Sequence, residues 1–250
     1  MGDGSNLRCR IRMEGRVAGA QLPFSFIYAG ADSSAFLKNW KLERGAQESS
    51  WTDPETGLRV TWRWKRFDGY PAVEWVLVFE NRGTKDTPLI SEVQALDLRL
   101  NHARIGLRYH VDGANGGRSL PDDMQPFTSR VPSPDTNARE VQLGGNFPSS
   151  SRHLPFFSIE TPESRGVGVG IGWSGNWLAR MRVDGTQMQA RAGLKETNLV
   201  LHPGETIRSP RILLVFWEGM RLHGQNMLRQ LLYRYYLPKL KGDPRSRSYP

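Results

Sequence analysis

A run of alternating glycines constrains this chain more than any other stretch. Residues 166–172 read Gly-Val-Gly-Val-Gly-Ile-Gly, so every second residue lacks a side chain. Successive side chains of a β-strand point to opposite faces of the sheet. In a strand, Val167, Val169 and Ile171 would therefore share one face, and the opposite face would be bare backbone. Another sheet, a bulky aromatic side chain or a neighbouring domain could approach that face closely.

The same stretch contains the spacing of a dinucleotide-binding loop. Gly170, Gly172 and Gly175 form the pattern G-x-G-x-x-G. Such a loop has to open a helix, because the helix N-terminus supplies the amides and the dipole that hold the phosphate. Residues 177–183, Trp-Leu-Ala-Arg-Met-Arg-Val, instead alternate as a strand does. The sequence therefore predicts a sheet at this position and no nucleotide site.

Strand patterns dominate the rest of the sequence. Residues 58–67 alternate between apolar and polar types, and residues 210–217 form a short apolar run. Turn residues separate such segments, for example Pro54 with Gly57 and Pro203 with Gly204. About ten strands of this kind favour an all-β fold, a large two-layer sandwich, over alternating βαβ units.

Only two helices are predicted. The first is short, lies within residues 32–40 and has Ser33 or Ser34 as its N-cap. The second lies within residues 224–238, near the C-terminus, and ends at a proline. Its apolar residues recur at helical spacing: Met227, Leu228, Leu231, Leu232 and Tyr235. We expect one sandwich domain over residues 1–238, followed by a basic linker rich in Pro, Gly and Ser over residues 239–250.

The net charge of +9 brings nucleic acid into consideration as a partner. Much of the excess lies in the last 22 residues, and elsewhere arginines alternate with acidic and apolar residues as on a solvated sheet face. We therefore expect no nucleic-acid partner. No apolar run approaches the roughly 20 residues that cross a bilayer, and the N-terminus lacks an apolar signal segment. We expect a soluble chain with no membrane partner, and its compartment stays open.

The residues that usually carry chemistry show no catalytic pattern. The five histidines lack H-x-H or H-E-x-x-H spacing, and the single cysteine, Cys9, excludes an internal disulfide and a cysteine-based zinc cluster. No G-x-S-x-G motif is present. We expect no metal, no cofactor and no catalytic residue on this chain.

Candidate ligand contacts come from aromatic residues and from two long polar loops. Tryptophan can pack a core or present a flat apolar face to a sugar ring, and the loops at residues 109–127 and 143–157 are rich in Gly, Asp, Arg and Ser. The candidate substrate-binding residues are Trp40, Trp51, His110, Arg118, Asp122, Arg152 and His153.

Several motifs, taken in order, resemble a known family. They are PFSFIYAGADSSAFLKNW, TDPETGLRVTWRW, AVEWVLVFENRGTKDTPLISEVQALD, LPFFSIE, GVGVGIGWSGNW, LVLHPGETIRSPRILLVFWEG and GQNMLRQLLYRYYLP. Together, from about Leu22 to Pro238, they resemble the N-terminal domain of α-galactosidase-like enzymes of glycoside hydrolase family 36. One departure lies at residues 144–152, Gly-Gly-Asn-Phe-Pro-Ser-Ser-Ser-Arg, where such enzymes commonly have Gly-Gly-Arg-Ser-Ser.

The resemblance implies a β-supersandwich of the galactose-mutarotase-like type. In such enzymes this domain precedes a (β/α)₈ barrel that carries the catalytic aspartates, so the implied partner is a catalytic barrel, and the implied ligand is a galactoside-type carbohydrate. The leading hypothesis is a non-catalytic domain that supports the barrel. One alternative is a mutarotase-like enzyme, whose proton transfers would use His110 or His153 with Asp122 or Glu160. Another is a carbohydrate-binding module with Trp40 and Trp51 as exposed platforms.

Overall fold

The structure, a computed structural model, describes residues 22–101, 108–114, 125–130, 140–144, 153–161, 164–184 and 187–237. The predicted linker at residues 239–250 lies outside these ranges. In the part of the chain that is described, 18 strands form three antiparallel sheets, accompanied by two α-helices and a 3-10 turn. The all-β class with two helices is thus confirmed.

Strands contribute most of the secondary structure. Their bounds are β1 Ser25–Tyr28, β2 Ala31–Asp32, β3 Lys41–Arg44, β4 Glu48–Thr52, β5 Leu58–Arg66, β6 Ala72–Asn81, β7 Ile90–Gln94, β8 Leu96–Asn101, β9 Arg108–Ala114, β10 Gln125–Arg130, β11 Val141–Gly144, β12 Phe156–Thr161, β13 Arg165–Gly172, β14 Trp177–Asp184, β15 Gln187–Leu194, β16 Asn198–Leu199, β17 Thr206–Arg208 and β18 Arg211–Glu218.

The sheets differ in size. The largest has ten strands, ordered β10-β9-β12-β13-β18-β6-β5-β4-β3, with β17 paired beside β6. Two four-stranded sheets are ordered β16-β7-β1-β2 and β11-β14-β15-β8. One core cluster contains Phe26 of β1, Val169 of β13 and Met181 of β14, so residues of all three sheets pack together. The large sheet therefore forms one layer and the two smaller sheets form the other.

The glycine-rich stretch is a strand in the middle of the large sheet. β13 pairs with β12 on one side and β18 on the other, and β14 begins at Trp177. Val167, Val169 and Ile171 are buried in the sandwich core, as predicted. The expectation that this stretch is not a phosphate loop is confirmed, because a strand and no helix follows Gly175.

The bare face of β13 is covered from within the chain by an aromatic side chain and a helix. Trp217 of β18 lies against Gly166, and the C-terminal helix packs on β18 and β13. A second apolar cluster on this outer face contains Leu213, Val215, Leu228 and Leu231. Strand β18 is therefore buried on both faces, which explains why its sequence is a continuous apolar run.

The two predicted helices are present with adjusted ends. Helix α1, Ser33–Phe36, continues into a 3-10 turn, Leu37–Asn39. Its N-cap is Asp32, whose carboxylate accepts from the Ser34 amide at 2.9 Å, so the predicted cap at Ser33 or Ser34 was wrong by one or two residues. Asp32 is the cap because its backbone is extended, with φ −70° and ψ 140°, whereas both serines already lie inside the helix. Helix α2, Arg221–Tyr235, begins three residues before the predicted segment.

No helix among the described residues is long and apolar enough to cross a membrane.

Candidate functional site

A cavity of about 390 Å³ opens where the two layers meet at one edge of the large sheet. It is bounded by the chain entering β1, by α1 and its 3-10 turn, by β3, β4 and β5, and by β8 and β15. Pockets that hold small ligands commonly measure about 300–1,000 Å³. The cavity therefore has the size of a small-ligand site.

The floor of the cavity is set by strand register. Across β3 and β4, Leu42 lies opposite Trp51 and Arg44 opposite Ser49, and across β4 and β5, Ser49 lies opposite Trp62. Residues that face each other, or that stand two apart, share one face of a sheet. All five side chains line the cavity.

Aromatic rings form most of the apolar wall. Phe24 packs at 5.8 Å from Trp51 and at 6.0 Å from Trp62, measured between ring centroids. Trp40 packs at 4.9 Å from Phe36 of helix α1. Such pairs add to the stability gained by burying the rings, so the wall is held in place by its own packing.

Tyr28 packs against Trp40 in an edge-on arrangement, with 5.6 Å between the ring centroids. Its hydroxyl lies 2.7 Å from the Thr56 hydroxyl, which itself donates to Asp53 at 2.6 Å. Tyr28 is therefore the donor to Thr56, because the Thr56 hydrogen is already committed. Burial raises the pKa of Tyr28 to about 12, so the phenol stays protonated at neutral pH.

A buried carboxylate stands at the polar side of the cavity. Asp97 accepts hydrogen bonds from Ser25 at 2.7 Å, from Gln189 at 2.9 Å and from Arg191 at 3.1 Å. Asp97 and Arg191 are register partners of β8 and β15, which places them opposite each other. Three donors satisfy this carboxylate, so its role within the described residues is to hold the two four-stranded sheets together.

The structure places the candidate residues Trp40 and Trp51 in the same cavity. Both line it, but Trp40 is 8% and Trp51 is 6% exposed. The expectation of exposed platforms was therefore wrong, because Phe24, just before β1, packs on Trp51, and Phe36 of α1 packs on Trp40. Whether they bind a ligand stays a prediction.

The two histidine candidates lie elsewhere. His153 is half-buried, and its Nδ1 lies 3.2 Å from the Gly144 amide nitrogen, at the end of β11. It does not line the cavity. His110 belongs to strand β9, where its backbone is paired with Thr128 and Ser158. Arg118, Asp122 and Arg152 lie outside the described residues.

Glu160, a residue of the mutarotase alternative, is engaged by the C-terminal helix. Arg221 donates to its Oε2 through Nε at 2.8 Å and through Nη2 at 2.6 Å. A charge-assisted pair of this kind fixes the first turn of α2 against β12. Among the described residues, no group of three His, Cys, Asp or Glu side chains could hold a metal ion.

Sequence analysis missed several cavity residues. Trp62 was detectable, because it shares a strand face with Leu58, Val60 and Trp64 in an alternating segment. Asp97, Arg99 and Arg191 carry no local signal, since only the pairing of β8 with β15 brings them to this edge.

The fold described here defines a class, the two-layer β-supersandwich. Solved structures that share this fold include GH36 α-galactosidases. The chain matches α-galactosidase AgaA of Geobacillus stearothermophilus in complex with 1-deoxygalactonojirimycin with a TM-score of 0.65 and 14% identity, covering 90% of this chain and 34% of that one. The match to AgaB of the same organism has a TM-score of 0.62 and 16% identity, covering 88% and 33%.

A third similar structure is the α-galactosidase of Lactobacillus brevis, with a TM-score of 0.52, 16% identity and coverage of 87% and 31%. The chain thus spans about a third of the length of each of these three enzymes. No family model matches the sequence, and a comparison with curated proteins also finds no match. The predicted resemblance is confirmed at the level of the fold.

Proposed function

We propose that this chain is a non-catalytic domain of an α-galactosidase-like glycoside hydrolase and that it supports the catalytic barrel of that enzyme. The observation that carries the proposal is the share of each chain that the structural matches cover. The three GH36 enzymes match almost all of this chain, yet the match takes up only about a third of each of them. The remainder of such an enzyme has room for a (β/α)₈ barrel, a fold of about 250 residues that places its active site at the C-terminal ends of its strands.

The proposed domain covers residues 1–238, and residues 239–250 link it to the barrel. An apolar surface at the start of α2 supports this arrangement. Met220 is 78% and Leu222 is 63% exposed, and both stand on the side of the large sheet that carries the helix. Exposed large apolar side chains that lie together commonly mark a contact with another protein surface. We assign Met220 and Leu222 to the contact with the barrel.

The glycine face of β13 does not serve that contact at Gly166 or Gly170. Trp217 lies against Gly166, and Phe156 lies against Gly170. Both glycines are buried within the chain itself. The contact with a barrel is therefore assigned to the outer side of α2 and not to the glycine face of β13.

The first experiment compares two gene products. One is this chain, and the other is the product of the reading frame continued past Pro250. Each is assayed with p-nitrophenyl α-galactoside, and the anomerisation of galactose is followed by polarimetry. We expect hydrolysis only from the longer product and anomerisation at the buffer rate from this chain. Hydrolysis or anomerisation by the chain itself contradicts the proposal, and so does a reading frame that encodes no barrel.

The second experiment tests the contact in the longer product. Met220→Ser and Leu222→Ser together should lower its melting temperature and increase protease cleavage between the domains, because an apolar contact is lost. The matched control is Leu89→Ser with Val200→Ser. These residues are also exposed, at 49% and 43%, but they lie next to β7 and β16 of the opposite layer. An equal effect of both pairs would contradict the assigned contact.

A further inference from the structure

The cavity at the edge of the large sheet is lined by more positive than negative side chains. The cations are Lys38, Arg44, Arg99 and Arg191, and the carboxylates are Asp32 and Asp97. Arg191 is paired with Asp97. Within the described residues, no carboxylate forms an ion pair with Lys38, Arg44 or Arg99.

Three of the four carboxylate oxygens that line the cavity already accept hydrogen bonds. Asp97 receives three donors from Ser25, Gln189 and Arg191. Asp32 receives the amide and the hydroxyl of Ser34, at 2.9 Å and 2.6 Å. Both of these bonds end on Oδ1 of Asp32. Apart from Asp32 Oδ2, the charged side chains of the cavity therefore offer a ligand donors, which favours a molecule rich in acceptors.

A buried donor adds a second, independent observation. Trp62 lines the cavity and is 6% exposed, and its Nε1 has no acceptor in the described part of the chain. A buried indole N–H normally finds an acceptor, and leaving it unpaired costs free energy. The nitrogen is closed to solvent in this structure, so it would reach a ligand oxygen only after the indole turns toward the cavity. Such a turn would change the fluorescence of the tryptophan.

We propose that this cavity binds a small organic anion, a carboxylate- or phosphate-bearing molecule with the size of a sugar acid. The charged group would lie among Arg44, Arg99 and Lys38, where charge-assisted hydrogen bonds are stronger than neutral ones. The less polar body would pack against the indoles of Trp40 and Trp51. The proposal rests on the cavity alone and is independent of the proposed function.

Matched sugars test the charge of the ligand. The full chain is titrated at low ionic strength with D-galacturonate, D-galactose 6-phosphate and D-galactose, followed by tryptophan fluorescence and calorimetry. D-Galactose shares the ring and lacks the anionic group. We expect at least one anion to bind about tenfold more tightly than D-galactose, with the stronger of the two identifying the headgroup. Raising the salt to about 0.5 M should weaken that binding.

Variants locate the site. Arg99→Gln and Arg44→Gln each change an exposed side chain and should weaken the binding of the anion about threefold or more. Trp62→Phe should weaken it about tenfold, provided that circular dichroism shows a folded chain. The control is Arg66→Gln, an exposed arginine of β5 that does not line the cavity, and it should leave binding unchanged.

Three results would overturn the proposal. Equal affinity for D-galactose and D-galacturonate would make this a site for neutral sugars. No binding of either anion up to about 10 mM, an affinity too weak to be specific, would mean that there is no such site. An equal loss of binding in Arg66→Gln and Arg99→Gln would show that the anion responds only to net charge.

Discussion

The indole of Trp217 lies directly against Gly224 of helix α2, so closely that a Cβ atom on Gly224 would stand 2.5 Å from the ring. On its other side the same indole lies against Gly166 of β13. Real Cβ atoms do not approach other atoms so closely, so both glycines are required by packing and not by a turn. The large side chain fills the space that the two missing side chains leave, and this is how the helix reaches the sheet.

Gly166→Ala should therefore destabilise the chain by about 1–3 kcal/mol, the usual cost of overpacking. Its Cβ would lie 2.5 Å from Cε2 of Trp217 and 2.7 Å from the carbonyl oxygen of Ile159, which is backbone and cannot rotate away. Gly168→Ala, on the same face, meets nothing closer than 3.7 Å and should be neutral or slightly stabilising. Urea unfolding of both variants measures the difference. Similar losses at the two positions would contradict the packing argument.

Asp97→Ala should cost about 2 kcal/mol, because it removes the buried acceptor of three donors and leaves Arg191, whose side chain is 36% exposed, without its ion-pair partner. Asp97→Asn keeps the shape and one acceptor oxygen, so its loss should be smaller. Thermal or chemical unfolding of both variants provides the test. An alanine variant as stable as the asparagine variant would mean that the network contributes little.

The stability of the chain should depend on pH through Glu74. This carboxylate is buried on the outer face of the large sheet, where it lies 3.3 Å from Arg211 and accepts from the Tyr236 hydroxyl. Burial raises the pKa of Glu74 above its ordinary 4.5 despite the nearby Arg211. The folded chain therefore holds this proton more tightly than the unfolded chain does. The stabilising contribution is complete below pH 4.5 and is lost as the pH rises through the folded pKa.

Glu74→Gln removes this titration. Relative to the parent chain, the variant should gain stability as the pH rises from 4.5 through the raised pKa of Glu74. Denaturation curves at three pH values across that window measure the difference. A difference that does not change with pH would contradict the assignment.

A surface pair provides a second pH-dependent prediction. The Nδ1 atom of His202 lies 2.8 Å from Asp86, and this hydrogen bond raises the pKa of His202 above its ordinary 6.5. The contribution of the pair is complete below pH 6.5 and is lost as the pH rises through the raised pKa. Asp86→Asn should lower the pKa of His202 as measured by NMR. Glu205→Gln should lower it less, because Glu205 acts only through its charge on the ring.

The hydrophobic pattern of the sequence was enough to predict some of the strands and helices. The alternation in residues 166–172 and 177–183 identified β13 and β14, because a strand in a sandwich needs one apolar face and that need is visible locally. Helix α2 was found for the same reason, since its buried Leu228 and Leu231 recur at helical spacing. The resemblance to glycoside hydrolase family 36 then indicated how such elements are arranged.

Other elements were not visible in this way. Residues 89–100, Leu-Ile-Ser-Glu-Val-Gln-Ala-Leu-Asp-Leu-Arg-Leu, contain no Gly, Pro or Asn and are typical of a single strand. The structure has two strands, β7 and β8, which belong to different sheets. The chain passes from one sheet to the next at the buried Ala95, and no turn residue marks the change. Hydrophobic pattern reports burial, but it does not report which sheet a strand joins.

The sequence by itself determined the all-β class, the two helices and the sheet role of the glycines, because each depends on periodicity between residues close in the chain. Only the tertiary structure decided that Trp40 and Trp51 are buried and line one cavity, and that Asp97 meets Arg191 there. These contacts join residues up to 94 positions apart. Strand order and register bring them together, and neither quantity is encoded in any single segment.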